Sequence, residues 1–285
     1  MIKQVAVSAI AVVVSIASSA ATAQISEKSR AQCEKEYKPQ VGQSGKDVVW
    51  VPTPDELINR MLKMANVTSK DVVFDLGAGD GKIAIAAGKL GANSTGIEYN
   101  PEMAKLAQCL VKAEGVGDKV RVIQGDIFKE DFSKATVVTM YLLPELNIRL
   151  RPTILDMKPG TRVVSHQFTM GDWKADQTSE MDYRTAYFWV VPAKVAGTWQ
   201  FKEAGGATNF AVNLSQKYQE ISGDASMGAN KNPLVGASLR GEDIKFAFND
   251  ESGTTRTLNG TVRGNEITGV LSGGGKEIKV VGTRK

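Results

Sequence analysis

The sequence predicts an α/β fold, a doubly wound parallel sheet, followed by a small all-β C-terminal domain. Three observations support this prediction. Between residues 50 and 192, short apolar runs alternate with segments of helical spacing, which is typical of a parallel sheet covered by helices on both faces. A glycine-rich loop follows the first apolar run. After Pro192 the helical spacing stops, and this last part of the chain holds 15 of the 28 glycines.

The strands and helices of the first part follow from the apolar pattern. The runs predict five strands: Val72–Phe74, Ser94–Glu98, Val120–Gln124, Thr136–Leu143 and Arg162–Ser165. The spacing between them predicts three helices: Gly81–Leu90, Pro101–Glu114, which begins with Pro at a favoured first position, and Glu145–Met157. Residues Tyr187–Val191 are predicted to form a late strand, either at the sheet edge or antiparallel.

The C-terminal region is predicted to be an antiparallel meander, a small barrel or sandwich. Ile244, Phe246 and Phe248 alternate with polar or small residues, so they share one face of a strand. The segment 240–244 (RGEDI) returns as 263–267 (RGNEI), which predicts the same hairpin turn used twice. We expect this domain to carry no catalytic group. It would serve substrate or envelope docking, or it would cap the edge strand near Tyr187.

The first residues are typical of a secretory signal. Lys3 supplies a positive start, an apolar run follows from Val5 to Ile16, and Ala21 and Ala23 occupy the positions that a signal peptidase reads. We expect cleavage before Gln24 and a periplasmic protein; the alternative is an uncleaved membrane anchor. The predicted organisation is a signal peptide (1–23), a polar N-terminal tail (24–48), the α/β domain (49–192) and the antiparallel β domain (193–285).

Composition excludes several classes of function. The formal net charge is +4, and no run of Lys and Arg would form a phosphate-binding stripe, so we expect no nucleic-acid partner. Cys33 and Cys109 are the only cysteines and His166 is the only histidine. One disulfide between the cysteines is compatible with this count. A four-ligand zinc site would need additional carboxylates, and we predict no metal.

The stretch 72–82 (VVFDLGAGDGK) carries the chemistry. It follows a strand and opens a helix, so free backbone N–H groups at the helix start face any bound ligand. Gly77, Gly79 and Gly81 allow a tight turn and a close approach of that ligand. The Gly-x-Gly-x-Gly spacing differs from the Gly-x-Gly-x-x-Gly of dinucleotide folds. Without a ligand, the same loop would be only a tight strand-to-helix turn.

Two further acidic residues fall at strand ends where a nucleoside needs them. Glu98 ends the second strand and can accept hydrogen bonds from both ribose hydroxyls. Asp126 follows the third strand and can accept from an adenine amino group. Ligands of open α/β sheets bind at these carboxyl ends. The set predicts S-adenosylmethionine (SAM) as the cofactor; NAD is the alternative and would require a pyrophosphate and a different third glycine.

Residues 50–192 resemble the class I SAM-dependent methyltransferases, which have a Rossmann-like fold. Two segments, 51–54 (VPTP) and 141–145 (YLLPE), resemble bacterial relatives of the mitochondrial lysine methyltransferases that act on the ATP synthase c-subunit. This resemblance implies methyl transfer to an acceptor, a protein lysine in that subgroup. It implies SAM contacts in and around the glycine loop and at the two strand ends: Asp75, Gly77, Ala78, Gly79, Gly81, Glu98 and Asp126. The signal segment and the β domain are departures from that subgroup.

The acceptor site should form at the ends of the fourth and fifth strands. The residues expected there are Tyr141, Pro144, Glu145, His166, Gln167, Phe168, Asp172 and Trp173, with Trp50–Pro54 as a lid. Tyr141 would orient the acceptor or pack over the cofactor. His166 would act as a base or hold the loop by hydrogen bonds. The alternative to an enzyme is an envelope binding or assembly protein that retains the fold, and the expected partners are SAM, an unknown methyl acceptor and an envelope component.

Overall fold

A computed structural model describes residues 24–285. The predicted signal segment, residues 1–23, lies outside the described residues, so its cleavage stays a prediction. Within residues 24–285, no helix has both the length and the apolar character needed to cross a membrane.

The first part of the chain forms a seven-stranded sheet with the order β3-β2-β1-β4-β5-β7-β6. Strands β1 to β5 are parallel, and β7 pairs antiparallel with β5. The strands are β1 (Val72–Leu76), β2 (Asn93–Glu98), β3 (Val120–Gln124), β4 (Val137–Met140), β5 (Arg162–His166), β6 (Gln177–Met181) and β7 (Arg184–Val190). The predicted strand near Tyr187 is therefore antiparallel. It is not at the edge, because β6 pairs with its outer side.

Helices cover both faces of this sheet, as predicted. The helices are α1 (Glu27–Cys33), α2 (Asp55–Met64), α3 (Lys82–Lys89), α4 (Pro101–Ala113) and α5 (Pro144–Leu155). On one face, α2, α3 and α4 bury their apolar side chains against the sheet; on the other, Leu150 and Ile154 of α5 pack on Val138 and Val163. The chain order reverses between β1 and β4, so a crevice opens at their carboxyl ends, where such sheets bind ligands.

The second sheet is an antiparallel, nine-stranded sheet with the order β11-β10-β9-β8-β16-β15-β14-β13-β12. Its strands are β8 (Gly197–Glu203), β9 (Asn209–Lys217), β10 (Glu220–Ser226), β11 (Asn232–Pro233), β12 (Val235–Arg240), β13 (Asp243–Asn249), β14 (Thr255–Arg263), β15 (Glu266–Gly273) and β16 (Lys276–Arg284). The sheet curls so that β10 approaches β12. Its interior is filled by five buried aromatic side chains: Trp199, Phe201, Phe210, Phe246 and Phe248.

The repeated segment of the β domain forms two hairpin turns, as predicted. Arg240 pairs with Asp243 across the first turn, and Arg263 pairs with Glu266 across the second. Each turn places its glycine, Gly241 or Gly264, at a positive φ near 60°, a conformation that is cheap only without a Cβ atom.

The two sheets are joined by a polar and aromatic junction. The indole N–H of Trp173, which is fully buried, donates to Gln219 at 2.8 Å, and the hydroxyl of Tyr218 donates to Asp172 at 2.8 Å. The turn between β9 and β10 therefore packs on the loop that follows β5. Arg151 of α5 holds the same carboxylate of Asp172, which ties α5 into the junction.

Residues 24–48, expected to be a polar tail, are packed against the α/β domain. Helix α1 is joined to α4 by a Cys33–Cys109 disulfide with a Cα–Cα distance of 5.7 Å. Arg30 of α1 reaches Asp80 in the glycine loop at 2.9 Å, and Ile25 is buried against α4. The sequence pattern is polar because one side of this short segment faces solvent; the covalent link to α4 is visible only in three dimensions.

Candidate cofactor and acceptor site

A cavity of about 240 Å³ lies at the carboxyl ends of β1, β2 and β4 and beside the loop after β3. It brings together most of the residues predicted from the motif and from the strand ends: Asp75, Gly77, Ala78, Gly79, Glu98, Asp126 and Tyr141. Two predicted residues, Gly81 and His166, are not on its wall. The cavity thus joins the predicted cofactor residues to the predicted acceptor strand.

The glycine loop approaches its neighbours too closely for larger residues. Gly77 and Gly79 both have positive φ values, of 75° and 55°. A Cβ atom at Gly77 would lie 2.7 Å from Leu142, and one at Gly79 would lie 2.8 Å from the indole nitrogen of Trp50. These two glycines therefore keep the cavity wall thin. Gly81 has a different role: it precedes α3 at φ 79° and packs on Ala107 of α4.

Glu98 is held rigidly at the end of β2. One carboxylate oxygen accepts a hydrogen bond from the Gly79 N–H at 2.8 Å, and the other accepts from the Asn100 N–H at 2.9 Å. A carboxylate can accept about four hydrogen bonds, so each oxygen keeps capacity for one more donor. Two adjacent hydroxyls are a suitable match for this arrangement.

Asp75 presents an unpaired oxygen in a buried position. One oxygen accepts from the Thr139 hydroxyl at 2.8 Å, and the other has no partner. Burial raises the pKa of Asp75 to about 7, and the negative charges of Glu98 and Asp80 act in the same direction. A buried carboxylate oxygen without a partner is costly, and a cation or an N–H donor bound in the cavity would relieve that cost.

Asp126 already has a partner on each oxygen. Its first oxygen accepts from the Phe128 N–H at 3.0 Å, and its second contacts the ammonium of Lys46 at 3.1 Å. The Phe128 hydrogen bond and the Lys46 charge hold the pKa of Asp126 below its usual value. The same ammonium lies 4.3 Å from the ring centroid of Tyr99. An adenine amino group at Asp126 would share this carboxylate with Lys46.

Tyr141 and His166 lie at the other end of the cavity, ring against ring. Their centroids are 3.7 Å apart, and Phe168 lies 6.2 Å from Tyr141. Tyr141 and Phe168 line the cavity, whereas His166 is buried behind Tyr141. His166 pairs through Nδ1 with the Thr53 hydroxyl at 3.1 Å, and its Nε2 has no partner.

Burial sets the protonation of both groups. It raises the pKa of the Tyr141 phenol. It lowers the pKa of His166 to about 4, and the positive charge of Arg184 acts in the same direction. Both side chains are therefore neutral near pH 7. In this position His166 supports the ring of Tyr141, and its role as a base stays a prediction.

The other residues expected around the acceptor lie off the cavity wall: Pro144, Glu145, Gln167, Asp172 and Trp173. Asp172 and Trp173 instead contact the β domain. Asp172 and Trp173 were expected at the acceptor because they follow β5 closely in the sequence, but the chain turns away from the cavity after Phe168. Leu142, Leu143 and Leu146 take the positions beside Tyr141, and the apolar character of 142–146 was the only sequence signal for them.

The N-terminal segment forms one wall of the cavity, and the sequence predicted only part of this wall. Residues 43–53, here called the strap, line the cavity continuously. The predicted lid covered only Trp50–Pro54, and Pro54 itself is the N-cap of α2. A short bridge between Ser44 and Val49 folds the strap back on itself. The apolar pair Val48–Val49 beside Trp50 was the sequence feature that could have extended the predicted lid towards residue 43.

The charge of the cavity wall is predominantly negative. Its ionisable side chains, other than Tyr, are five carboxylates and two lysines: Asp47, Asp75, Asp80, Glu98, Asp126, Lys46 and Lys82. Both lysines are paired with carboxylates, Lys82 with Asp55 at 2.6 Å. Within residues 24–285 no group of His, Cys, Asp and Glu has the arrangement of a metal site. Such a wall suits a ligand that carries positive charge.

Comparison with known proteins identifies the class. The ANTKMT methyltransferase domain matches residues 75–177, and a DNA methylase family matches residues 26–109. A protein-lysine N-methyltransferase of Saccharolobus islandicus is 38% identical over 151 residues, 50% of this chain and 94% of that relative. The human lysine N-methyltransferase of the ATP synthase c-subunit is 28% identical, over 58% of this chain and 69% of its own length.

A solved structure agrees with these sequence relatives. It is the crystal structure of an RNA methyltransferase from Salinibacter ruber in complex with S-adenosyl-L-homocysteine. It is 48% identical, covers 51% of this chain and 96% of its own, and superposes with a TM-score of 0.50.

The doubly wound sheet brings the glycine loop and the acid that ends the next strand to one cavity. This combination is typical of enzymes that bind a cofactor with a nucleoside part. Together with the relatives above, the chain belongs to the class I SAM-dependent methyltransferases. Residues 75–177 are similar to the ANTKMT methyltransferase domain, and SAM is the cofactor of this chain.

Proposed function

We propose that this chain methylates the side-chain nitrogen of a lysine in a protein substrate. The aromatic and apolar acceptor end of the cavity, with Tyr141 and Phe168 on its wall, is the observation that carries the proposal, because aromatic ring faces attract a lysine ammonium. The relative from Saccharolobus islandicus, named a protein-lysine N-methyltransferase, supports the same assignment.

The residues present fit the cofactor. Glu98 would accept from the ribose hydroxyls through its two free positions, and Asp126 would accept from the adenine amino group. The unpaired oxygen of Asp75 would take the ammonium of the cofactor's amino-acid part. Bound SAM supplies an electrophilic methyl group on a sulfonium, so the protein must position and desolvate the nucleophile rather than activate the methyl.

The acceptor end of the cavity is aromatic and apolar. Tyr141 and Phe168 present ring faces, and Leu142, Leu143 and Leu146 complete the wall. Aromatic faces attract a lysine ammonium within about 6 Å. Burial among apolar groups lowers the pKa of a lysine, which favours the neutral amine that attacks the methyl. Positioning of this kind can supply about 7–11 kcal/mol of the barrier.

His166 is a poor candidate for removing the lysine proton. Its pKa of about 4 lies far below the value of about 10.4 for a free lysine, and it is buried behind Tyr141. The neutral Tyr141 hydroxyl is better placed to orient the amine. Proton release to solvent, assisted by desolvation, is the step that this geometry supports.

RNA is the second candidate acceptor, because the Salinibacter ruber structure is described as an RNA methyltransferase. Within residues 24–285, the acceptor end of the cavity wall offers phosphates no cationic side chain beside Tyr141 and Phe168, and both lysines of the cavity wall are already paired. RNA binding also depends on cationic surface that releases counterions. The charge of the site therefore favours a protein acceptor.

A labelled-methyl assay separates the two acceptors. Purified full-length protein with methyl-labelled SAM is incubated with a cell-envelope protein fraction and, separately, with total RNA. Label in protein that survives nuclease and maps to lysine by mass spectrometry supports the proposal. Label that enters only RNA contradicts the lysine acceptor but leaves the methyltransferase assignment intact.

We also propose that the chain acts in the periplasm, with residues 1–23 as a cleaved signal. The Cys33–Cys109 disulfide supports this, because such bonds persist in oxidising compartments. The β domain would then dock an envelope component, in line with its contact with the loop that follows β5. N-terminal sequencing of the envelope protein tests this: a start at Gln24 is expected, and a start at Met1 in the membrane fraction would favour the anchor.

A further inference from the structure

The strap covers one defined half of the cofactor cavity. Lys46 and Trp50 reach across to groups on three different loops: Asp126 after β3, Tyr99 after β2 and Gly79 after β1. All three belong to the side of the cavity where the motif places ribose and adenine. The part of the strap from Lys46 to Trp50 is therefore a wall of the adenosine half, whereas its end at Thr53 contacts His166 behind Tyr141.

Two contacts hold the Lys46–Trp50 part of the strap against the adenosine half. The Lys46 ammonium lies 3.1 Å from Asp126, with 37% of the lysine side chain and 17% of the aspartate side chain exposed. The indole nitrogen of Trp50 lies where a Cβ atom of Gly79 would clash, 2.8 Å away. The backbone of Trp50 is tied to Gly42 and Gln43 by hydrogen bonds of 2.8 and 2.9 Å, so the strap moves as one hairpin.

The strap is held at both ends: its C-terminal end through Thr53, which contacts His166 and Lys82, and its N-terminal end through α1. The chain's single disulfide joins Cys33 at the end of α1 to Cys109 on α4. Arg30 on the same helix holds Asp80 of the glycine loop at 2.9 Å. Cys33 is buried, whereas Cys109 is half-buried, so the bond can be attacked from the Cys109 side.

We propose that Lys46 and Trp50 are cofactor-site residues carried on a closing strap, and that the Cys33–Cys109 disulfide keeps this strap closed. Cofactor enters and leaves when the Lys46–Asp126 contact opens. With the disulfide intact, α1 stays on α4 and the strap closes again over the adenosine half. With the disulfide reduced, α1 keeps only its non-covalent contacts, such as Arg30 with Asp80 and Ile25 with α4, so it leaves α4 more readily and the strap stays open for longer.

The redox step needs only a dithiol reductant. Its thiolate attacks one sulfur of the disulfide, and its second thiol completes the exchange. The S–S bond of Cys33–Cys109 breaks, each sulfur gains one electron and one proton, and the reductant becomes a cyclic disulfide. SAM and the acceptor take no part in this exchange.

The latch is tested by the rate at which S-adenosylhomocysteine dissociates. Stopped-flow displacement is measured on the oxidised full-length chain, on Lys46→Met and on Lys38→Met, a matched control at an exposed lysine of the same segment. An exposed ion pair of this kind corresponds to a rate increase on the order of two- to fivefold for Lys46→Met, with no change for Lys38→Met. An unchanged rate in Lys46→Met overturns the latch. Faster association with unchanged dissociation also overturns it, because Lys46 would then only block Asp126.

The disulfide is tested by adding a dithiol. Dissociation should become faster in the unmodified chain, by at least as much as in Lys46→Met, and should not change further in the Cys33→Ser/Cys109→Ser double variant. Hydrogen exchange should rise in residues 24–50 and stay constant in β4, at the centre of the seven-stranded sheet, which shows that the fold of the α/β domain is retained. If dissociation is unaffected by reduction, or if exchange rises equally in β4, the proposed link between the disulfide and the strap is wrong.

Discussion

Replacing Glu98 by alanine should weaken cofactor binding strongly. Its two oxygens are fixed by the Gly79 and Asn100 N–H groups, so the side chain is already oriented before SAM arrives. Each hydrogen bond to a charged acceptor contributes about 1.5–3 kcal/mol. Water can replace part of this binding free energy in the variant, so we take the lower value for each hydrogen bond. The loss of one to two such bonds then predicts a dissociation constant roughly 10- to 100-fold higher.

Isothermal titration calorimetry of the oxidised chain with S-adenosylhomocysteine measures this change. Glu98→Gln keeps one acceptor oxygen and should fall between Glu98→Ala and the unmodified protein. Glu102→Ala is the matched control, because Glu102 is exposed on α4 and its carboxylate contacts Lys105 on the same helix. A normal dissociation constant in a folded Glu98→Ala protein would refute the role assigned to this carboxylate.

The site and the junction lead to three further expected outcomes. Raising the pH through about 7 should strengthen SAM binding, because below that value the raised pKa of Asp75 keeps its carboxyl protonated and unable to attract the cofactor's ammonium. Calorimetry between pH 6 and 7.5 should show that Asp75→Asn removes this pH dependence of SAM binding. A pH dependence that persists in the variant would assign the titration to another group. Tyr141→Phe should lower methyl transfer more than SAM affinity, as measured by kcat and Kd; equal losses would make Tyr141 a cofactor residue only. Truncation after Pro192 should lower the thermal midpoint or cause aggregation, because it exposes Trp173; an unchanged midpoint would show that the β domain does not brace the catalytic domain.

The raised pKa of Asp75 also affects folding of the cofactor-free chain. A carboxyl group whose folded pKa of about 7 exceeds its unfolded value of about 3.9 stabilises the fold most below pH 4, and this contribution is lost as the pH rises towards 7. His166, with its pKa lowered to about 4, acts oppositely: its contribution is present above pH 6.5 and is lost as the pH falls to 4. The two dependences oppose each other in nearly the same window, so single variants are needed to observe either one.

The cofactor half of the site could be predicted because its residues are local to strand ends. Asp75 lies near the end of β1, Gly77 follows that strand directly, and Glu98 ends β2, so a parallel sheet alone brings them to one edge. The acceptor half could be predicted only in part. Tyr141 follows β4 on the cavity wall, as expected. His166 ends β5 beside it, in register, and is buried because the ring of Tyr141 lies between it and the cavity.

The strand near Tyr187 shows the same limit. Its apolar run predicted a strand, and its antiparallel direction was one of two expected outcomes. Its position inside the sheet depends on β6, whose residues 177–181 are polar and half exposed and therefore gave no apolar signal. An edge strand is stabilised by backbone pairing, which side-chain patterns do not report.

The sequence by itself determined the class of fold, the cofactor and the hairpin repeats, because these depend on local spacing and on glycines at special backbone conformations. The tertiary structure alone decided which distant groups meet: Lys46 with Asp126, Arg30 with Asp80 and Cys33 with Cys109. Those pairs are separated by 80, 50 and 76 residues. Their contact depends on how the N-terminal segment packs across the finished sheet, and the free energy of that packing is a property of the assembled surface rather than of either segment.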